Sequence, residues 1–155
     1  SIIGSQTAFF TDNGEENAYW SHLRLARLRE MQDVFEVQNH SWNLHEYGER
    51  RGCLRRRGED ETRYETLLRE DTEQTQTLIT DAGLPAPTCY TYPFGACSKE
   101  SETLLKSMGF RCTLGCEERV NTITRNPDCL FELGRFNRPA GQSTESFLHR
   151  ALGED

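Results

Sequence analysis

No stretch of this 155-residue sequence is apolar for the roughly 20 residues that a membrane-spanning helix needs, and no secretory signal pattern opens it. The sequence also lacks a C-x-x-C pair, its nearest approach being Cys112 and Cys116 in CTLGC. A zinc ribbon requires two close pairs, so a structural zinc site of that kind is not expected. Spacing alone leaves open whether the six cysteines are reduced or bridged; they are Cys53, Cys89, Cys97, Cys112, Cys116 and Cys129.

Basic charge is scarce. The chain has 18 Lys and Arg against 25 Asp and Glu, a net charge of -7, which argues against a general nucleic-acid binder. The positive charge is concentrated in ERRGCLRRRGE, which we call the arginine-rich loop and which holds Arg50, Arg51, Arg55, Arg56 and Arg57. This loop could meet an anionic or hydroxyl-rich partner. We favour the plainer interpretation, a solvated loop balanced by its own glutamates.

The apolar pattern changes repeatedly between the periods of strand and helix. Helices are predicted at 16–31, at 60–82 with Gly83 as the stop, at 99–108 with Ser98 as N-cap, and from Ser143 onward. Strands are predicted at SIIG (1–4), VFEVQN (34–39), PTCYTYPFG (87–95), FRCTLG (110–115) and briefly near FELGRFN (131–137). Strand and helix in alternation indicate parallel βα units, so the predicted fold class is α/β.

Two histidines, His40 and His45, directly follow the strand VFEVQN in the segment QNHSWNLH. Residues five apart point about 140° away from each other on a helix, and to opposite faces on a strand. The pair converges on one metal ion only if residues 41–44 curl into a loop. The position favours this, because loops at the carboxyl ends of parallel strands surround ligands. The plain alternative is two ordinary loop histidines.

QNHSWNLH resembles the histidine motif of the polysaccharide deacetylases of carbohydrate esterase family 4, the NodB-homology domains. Its spacing is similar to that of the branch that deacetylates poly-N-acetylglucosamine. TYPFGACSKESETLLKSMGF then resembles the next motif of that branch, in which a strand ends in an aromatic-Pro-aromatic-Gly turn. The segments RRGCLRRRGE and RFNRPAG are similar to members of the same group, so the resemblance extends over nearly the whole chain.

The resemblance implies a distorted, incomplete (β/α) barrel that removes acetyl groups from N-acetylated sugars of a polysaccharide. It implies His40 and His45 as ligands of a divalent metal, with zinc as the first choice and cobalt or nickel as further options. It also implies Phe94 as the backbone N–H donor to the oxyanion, on a turn shaped by Tyr92 and Pro93. Trp42, Tyr47 and Gly95 are candidates for contact with the substrate, although core packing is the commoner role for a residue such as Trp42 and is left open for Tyr47.

One family motif is absent. The Thr-Phe-Asp-Asp-Gly run, which supplies a base and a third metal ligand in the family, has no match here, because the chain has no Asp-Asp pair. Asp12 in FFTDNGEE follows the SIIG strand and so falls on the wrong βα unit; we interpret it as part of an Asn-Gly turn. Residues 1–155 are therefore expected to form a single deacetylase-like domain that lacks its first βα unit, as a fragment or a natural remnant.

Four other residues bear on the resemblance to the deacetylase family. Thr91 stands where many relatives carry an arginine that orients the base. His149 is the only late histidine but falls inside a predicted helix, so a surface or packing role is expected. Cys97 could add a soft ligand, although a small buried residue is the commoner case. His22 is expected to be structural.

Two other functions remain open: a non-catalytic remnant that binds glycan or a partner protein, and a thiol-rich domain with paired disulfides. By resemblance, an extracellular or cell-envelope location is expected. A homo-oligomer is expected as well, because the loss of one βα unit would expose a strand edge.

Overall fold

The computed structural model describes residues 2–4 and 25–153. Within them, four parallel strands form one sheet in the order β1-β2-β3-β4. The strands are β1 (Ile2–Gly4), β2 (Val37–Asn39), β3 (Cys89–Thr91) and β4 (Cys112–Leu114). A parallel bridge from Leu114 to Leu133 extends the sheet beyond β4, where the sequence predicts a short strand. All carboxyl ends of these strands therefore lie along one edge.

Helices connect the strands, as the α/β class requires. They are α1 (Leu25–Glu30), α2 (Glu61–Asp81), α3 (Lys99–Ser107) and α4 (Thr144–Leu152). The predicted starts of α3 and α4 are confirmed: Ser98 forms a capping box with Ser101, and the Ser143 side chain accepts the N–H of Ser146. The part of the first predicted helix before residue 25, which includes His22, lies outside the described residues.

Helix α2 is the main packing element beside the site. The Asp60 side chain caps its first turn, and Gly83, at φ +78°, follows its end as predicted. Its buried stripe runs Tyr64, Leu68, Asp71, Thr72, Thr75 and Ile79. The two ends of this stripe belong to separate apolar clusters, one against β3 and α3 and one against α1 and β2. The polar middle of the stripe packs against the end of β2, where Asn39 donates to the Thr72 carbonyl.

Strand β2 is shorter than the sequence predicts. The predicted strand begins at Val34, but the N–H groups of Val34 and Phe35 both donate to the Met31 carbonyl. These bonds continue the turn after α1 and keep the two residues out of the sheet, which leaves Val34 largely exposed. No described helix is both long and apolar enough to cross a bilayer.

Candidate active site

Two loops meet at the carboxyl edge of the sheet. The first, which we call the histidine loop, is residues 40–45 and follows β2. The second, the Pro93 turn, is residues 92–96 and follows β3. Because β2 and β3 are neighbours, with Asn39 paired to Tyr90, the residues after them come side by side. The predicted convergence of loops at this edge is confirmed.

The two histidines lie together. Their ring centroids are 4.9 Å apart and the rings are tilted by 52°. His40 Nδ1 lies 2.7 Å from the carbonyl oxygen of Thr91 on the neighbouring strand. A carbonyl only accepts, so Nδ1 carries the proton and donates it, which leaves the lone pair on Nε2. This is the arrangement in which a metal-ligating histidine is commonly held by its outer contact.

The charge state of His40 suits the same role. Burial lowers the pKa of its imidazole from the ordinary value, and the nearby His45 and Arg135 lower it further, against an opposing effect of the Thr91 hydrogen bond. His40 is therefore neutral around pH 7. A neutral imidazole is the form that binds a metal ion.

Side-chain oxygens fix the curl of the histidine loop. The N–H groups of four consecutive residues each donate to one of them. Ser41 donates to Asn39 Oδ1 (2.9 Å), Trp42 to Asp71 Oδ1 (3.0 Å), Asn43 to Asp71 Oδ2 (2.7 Å) and Leu44 to Ser41 Oγ (3.1 Å). Ser41 itself has φ +72°, a left-handed conformation that turns the chain back. This curl brings residues five apart to one side.

Two of these supporting side chains, Asn39 and Asp71, are not among the residues that the sequence motifs predict. Asp71 does occur in the helical periodicity of α2, at a position that the periodicity assigns to the buried face. A carboxylate on a buried face needs hydrogen-bond partners, so the position of Asp71 in the sequence pattern already indicates that it contacts other polar groups. The identity of those partners depends on contacts across 28 and 29 residues of sequence.

The Pro93 turn contains two successive tight turns. Gly95 N–H donates to the Tyr92 carbonyl at 2.9 Å, and Ala96 N–H to the Pro93 carbonyl at 3.0 Å. Phe94 (φ +58°, ψ +12°) and Gly95 (φ +63°) are both left-handed. Phe94 is a rare non-glycine residue in that region. Among the described residues the Phe94 N–H has no acceptor, so it is available to bind an oxyanion.

The arginine-rich loop packs against this turn and forms a backbone hydrogen bond with it. Gly52 fits so tightly that a Cβ there would lie 2.4 Å from the Pro93 oxygen, and Cys53 N–H donates to the Ala96 carbonyl at 3.1 Å. Several of the arginines pair with nearby glutamates: Arg50 with Glu59, Arg55 with Glu61 and Glu100, and Arg56 with Glu49. Pairing with the loop's own glutamates is thus confirmed for Arg50 and Arg56, although the Arg50–Glu59 pair is partly buried rather than fully solvated.

Aromatic contacts join the two loops. The Phe94 ring stacks on His45 with centroids 4.3 Å apart and a tilt of 27°. Tyr47 lies beside the same ring, at 5.3 Å, and is 97% exposed. Tyr92 points the other way and is buried against Tyr90. Trp42 lines a groove of about 650 Å³ against α2. Its role, like those of Tyr47 and Gly95, stays a prediction.

The remaining candidates are placed as follows. Thr91 is buried, and its Oγ1 has no partner among the described residues. Cys97 donates to Glu132 at 3.0 Å, and burial raises the pKa of its thiol to about 12, so the thiol is protonated at neutral pH in the metal-free protein. His149 is exposed on α4, as expected. Asp12 lies outside the described residues.

The donor set therefore consists of two imidazoles. No group of three or more His, Cys, Asp or Glu side chains that could hold a metal is present among residues 2–4 and 25–153. The histidine pair fits a metal ion in spacing, and His40 fits it in tautomer and charge as well; a complete site requires oxygen donors beyond these two rings. All six cysteines are free thiols, against the paired disulfides that the thiol-rich alternative predicts.

Comparison with known families decides the assignment. The family model described as polysaccharide deacetylase matches residues 5–113. The chain belongs to the polysaccharide deacetylase family. The resemblance drawn from QNHSWNLH and TYPFG is confirmed, and members of this family are generally metal-dependent. A comparison with curated proteins finds no match.

Solved structures show the same fold. A de-N-acetylase from Aggregatibacter actinomycetemcomitans superposes with TM-score 0.66 at 14% identity, over 96% of this chain and 64% of its own. IcaB from Ammonifex degensii gives 0.66 at 20% identity, over 90% and 56%. The BpsB deacetylase domain from Bordetella bronchiseptica gives 0.60 at 21%, over 81% and 55%. The predicted incomplete barrel of NodB-homology type is confirmed. The chain spans about 55–64% of the length of these structures.

Proposed function

We propose that this deacetylase-family chain is a metal-dependent hydrolase that removes N-acetyl groups from N-acetylglucosamine-containing polysaccharide. The observation that carries the proposal is the histidine pair. Its rings lie 4.9 Å apart, and His40 Nδ1 is committed to the Thr91 carbonyl. The matched family and the de-N-acetylase fold of the neighbours support the reaction type.

His40 and His45 would hold a divalent cation, and zinc is the favoured ion because two neutral imidazoles with oxygen donors suit it. When bound, such an ion polarises an amide carbonyl and lowers the pKa of water. His40 contributes a neutral, pre-oriented Nε2. His45 is positioned by stacking on Phe94. The base and the third ligand are expected to be carboxylates, as in the family.

The Phe94 N–H is proposed to receive the oxyanion that forms on the acetyl carbonyl. A donor of this kind works when it is fixed before the reaction, so that no reorganisation is needed. Pro93 restricts φ at the turn, and Gly52 and Cys53 pack against it from below. The exposed ring of Tyr47 beside Phe94 provides a surface on which a sugar ring could stack.

A second function is favoured by one feature of the sequence, its lack of an Asp-Asp pair. Without those carboxylates the same edge of the sheet would bind glycan and not hydrolyse it. Action on a polysaccharide also suggests the cell wall or extracellular space as the location. We also propose that the chain self-associates, because the loss of one βα unit would expose a strand edge.

The experiment replaces the ligands one at a time. We expect His40→Ala and His45→Ala each to weaken zinc or cobalt binding by more than about 100-fold, since even outer-contact residues contribute 10–100-fold. His149→Ala, an exposed histidine on α4, is the matched control and should bind as the wild type does. Titration calorimetry measures the affinity, and acetate release from N-acetylglucosamine oligomers measures the reaction.

Unchanged metal affinity in both variants would overturn the metal site. Glycan binding that survives both substitutions, together with no acetate release from the wild-type protein, would support the binding function.

A further inference from the structure

The buried face of α2 carries a carboxylate at the point where the helix passes the end of β2. Asp71 is 8% exposed. No Lys or Arg pairs with it among the described residues. Burial raises the pKa of its carboxyl, and the hydrogen bonds from Trp42 and Asn43 only partly oppose that effect. A buried carboxylate lowers the stability of the fold unless hydrogen bonds to its oxygens compensate for the loss of water.

Both carboxylate oxygens of Asp71 are used by the histidine loop. Oδ1 accepts the N–H of Trp42 and Oδ2 accepts the N–H of Asn43, two consecutive groups between the histidines. A carboxylate is the side chain that offers two acceptors and no donor in this geometry. An asparagine of the same size would place an NH2 group against one of the two N–H groups.

The contacts around the loop show what Asp71 adds. Asn39 Oδ1 and Ser41 Oγ bind the N–H groups at the two ends of the turn, those of Ser41 and Leu44. Both of these acceptors are local, because they belong to the strand end or to the loop itself. Asp71 ties the middle of the loop to a rigid element, since α2 is a 21-residue helix packed on the sheet.

We propose that Asp71 is a positioning residue for the histidine site: it fixes the curl that brings His40 and His45 onto one metal ion. The inference rests on the proposed function. It assigns the carboxylate a role in metal affinity through the loop backbone, without contact with the ion. Freed of Asp71, the loop would keep its sequence but not its rigid middle, and the spacing of the two rings would vary.

The test compares variants of the intact protein by cobalt titration, with the visible absorption of bound Co(II) as the reporter of ligand geometry. In Asp71→Asn we expect cobalt affinity to fall about 10–100-fold, the usual effect of losing an outer contact, and the absorption bands to shift. Asp71→Glu keeps two carboxylate oxygens and should recover most of the affinity. If Asp71→Asn does not fold, the same cobalt titration is made with Asp71→Ser, which offers a single acceptor.

Thr75→Val is the matched control. Thr75 lies one turn further along the buried face of α2, and its Oγ1 has no partner among the described residues. Thermal unfolding is followed for every variant. We expect Thr75→Val to bind cobalt as the wild type does, with the same spectrum, whatever its melting temperature.

Wild-type affinity and spectrum in Asp71→Asn would overturn the positioning role. An equal loss of affinity in Thr75→Val would also overturn it, because the effect would then follow helix stability. Both results are distinguishable from a failure of the proposed function, in which His40→Ala and His45→Ala themselves would retain metal affinity.

Discussion

The histidine loop and the Pro93 turn lie side by side at one edge of the sheet, yet different groups hold them: side-chain oxygens in the first and backbone in the second. The histidine loop is fixed by side-chain oxygens, each within hydrogen-bond distance of a backbone N–H. The Pro93 turn is fixed by backbone, through hydrogen bonds from the N–H groups of Gly95, Ala96 and Cys53 and through close packing. Gly52 leaves no room for a Cβ against the Pro93 oxygen, and Gly95 leaves none against Cys116.

The difference follows from what each loop presents. A histidine must be held by its ring and by the direction of its backbone, so directional hydrogen bonds suit it. An oxyanion donor is itself a backbone N–H, so the turn must keep that group unpaired and still be rigid. Close packing and the neighbouring backbone hydrogen bonds make the Pro93 turn rigid while leaving the Phe94 N–H unpaired among the described residues. Loss of one hydrogen bond that leaves a buried group without a partner costs about 1–3 kcal/mol of stability. Steric overlap in a close-packed region instead displaces a whole segment.

The largest effect is expected from filling the space below the Pro93 turn. Gly52→Ala places a Cβ 2.4 Å from the Pro93 oxygen, on a residue at φ +54°. We expect the free energy of unfolding to fall by about 2–5 kcal/mol, from left-handed strain together with overpacking. Acetate release should fall as well, because the Phe94 N–H moves with the turn. Urea denaturation and the deacetylation assay measure the two effects.

Gly58→Ala separates strain from overlap in the same loop. Gly58 has φ +76°, but a Cβ there meets nothing within 4 Å. It should cost only the left-handed strain, about 1–2 kcal/mol, and leave acetate release unchanged. Equal losses of stability in the two variants would show that close packing does not hold the turn.

A smaller effect is expected from Asn39, which is buried at the end of β2. Its Nδ2 donates to the Thr72 carbonyl at 3.1 Å, and its Oδ1 accepts the Ser41 N–H at 2.9 Å. Asn39→Ala leaves the buried Ser41 N–H without its acceptor and removes the bond to the Thr72 carbonyl of α2, so we expect the free energy of unfolding to fall by about 1–3 kcal/mol. Cobalt affinity should fall with it, because the histidine loop begins there.

Asn121→Ala is the matched control for Asn39. Asn121 also makes two bonds to backbone, both to Gly134, but on a loop after β4. It should change stability without changing cobalt affinity. If Asn39→Ala unfolds more easily yet binds cobalt with wild-type affinity, the start of the histidine loop does not depend on this hydrogen-bond clamp.

The parts of the molecule that depend on local pattern could be predicted from sequence. Helix α2 begins after Asp60 and ends before Gly83 because capping and left-handed termination are encoded within a few residues. The position of His40 after a strand, and of Phe94 in a turn, could be predicted for the same reason. The resemblance to deacetylases added the roles of these residues.

The supports of the site could not be predicted in this way. Gly52 and Pro93 are 41 residues apart, and Asp71 reaches Trp42 across 29. Each contact depends on how the elements pack, which single-segment periodicity does not contain. The composition of the arginine-rich loop predicted a solvated loop balanced by its own glutamates, and nothing in that pattern indicates a contact with the site. Its glycine and its Cys53 N–H are what contact the site.

The smallest effect on stability, and a selective one on function, is expected at Tyr47. Its ring is 97% exposed beside Phe94, so it contributes little to folding. Tyr47→Ala should change the free energy of unfolding by less than about 0.5 kcal/mol. If a sugar ring stacks there, KM for N-acetylglucosamine oligomers should rise several-fold with kcat retained, and Tyr47→Phe, which keeps the ring, should restore KM. A KM equal to the wild type in Tyr47→Ala would remove Tyr47 from the substrate surface and leave Phe94, which stacks on His45, as the aromatic candidate there.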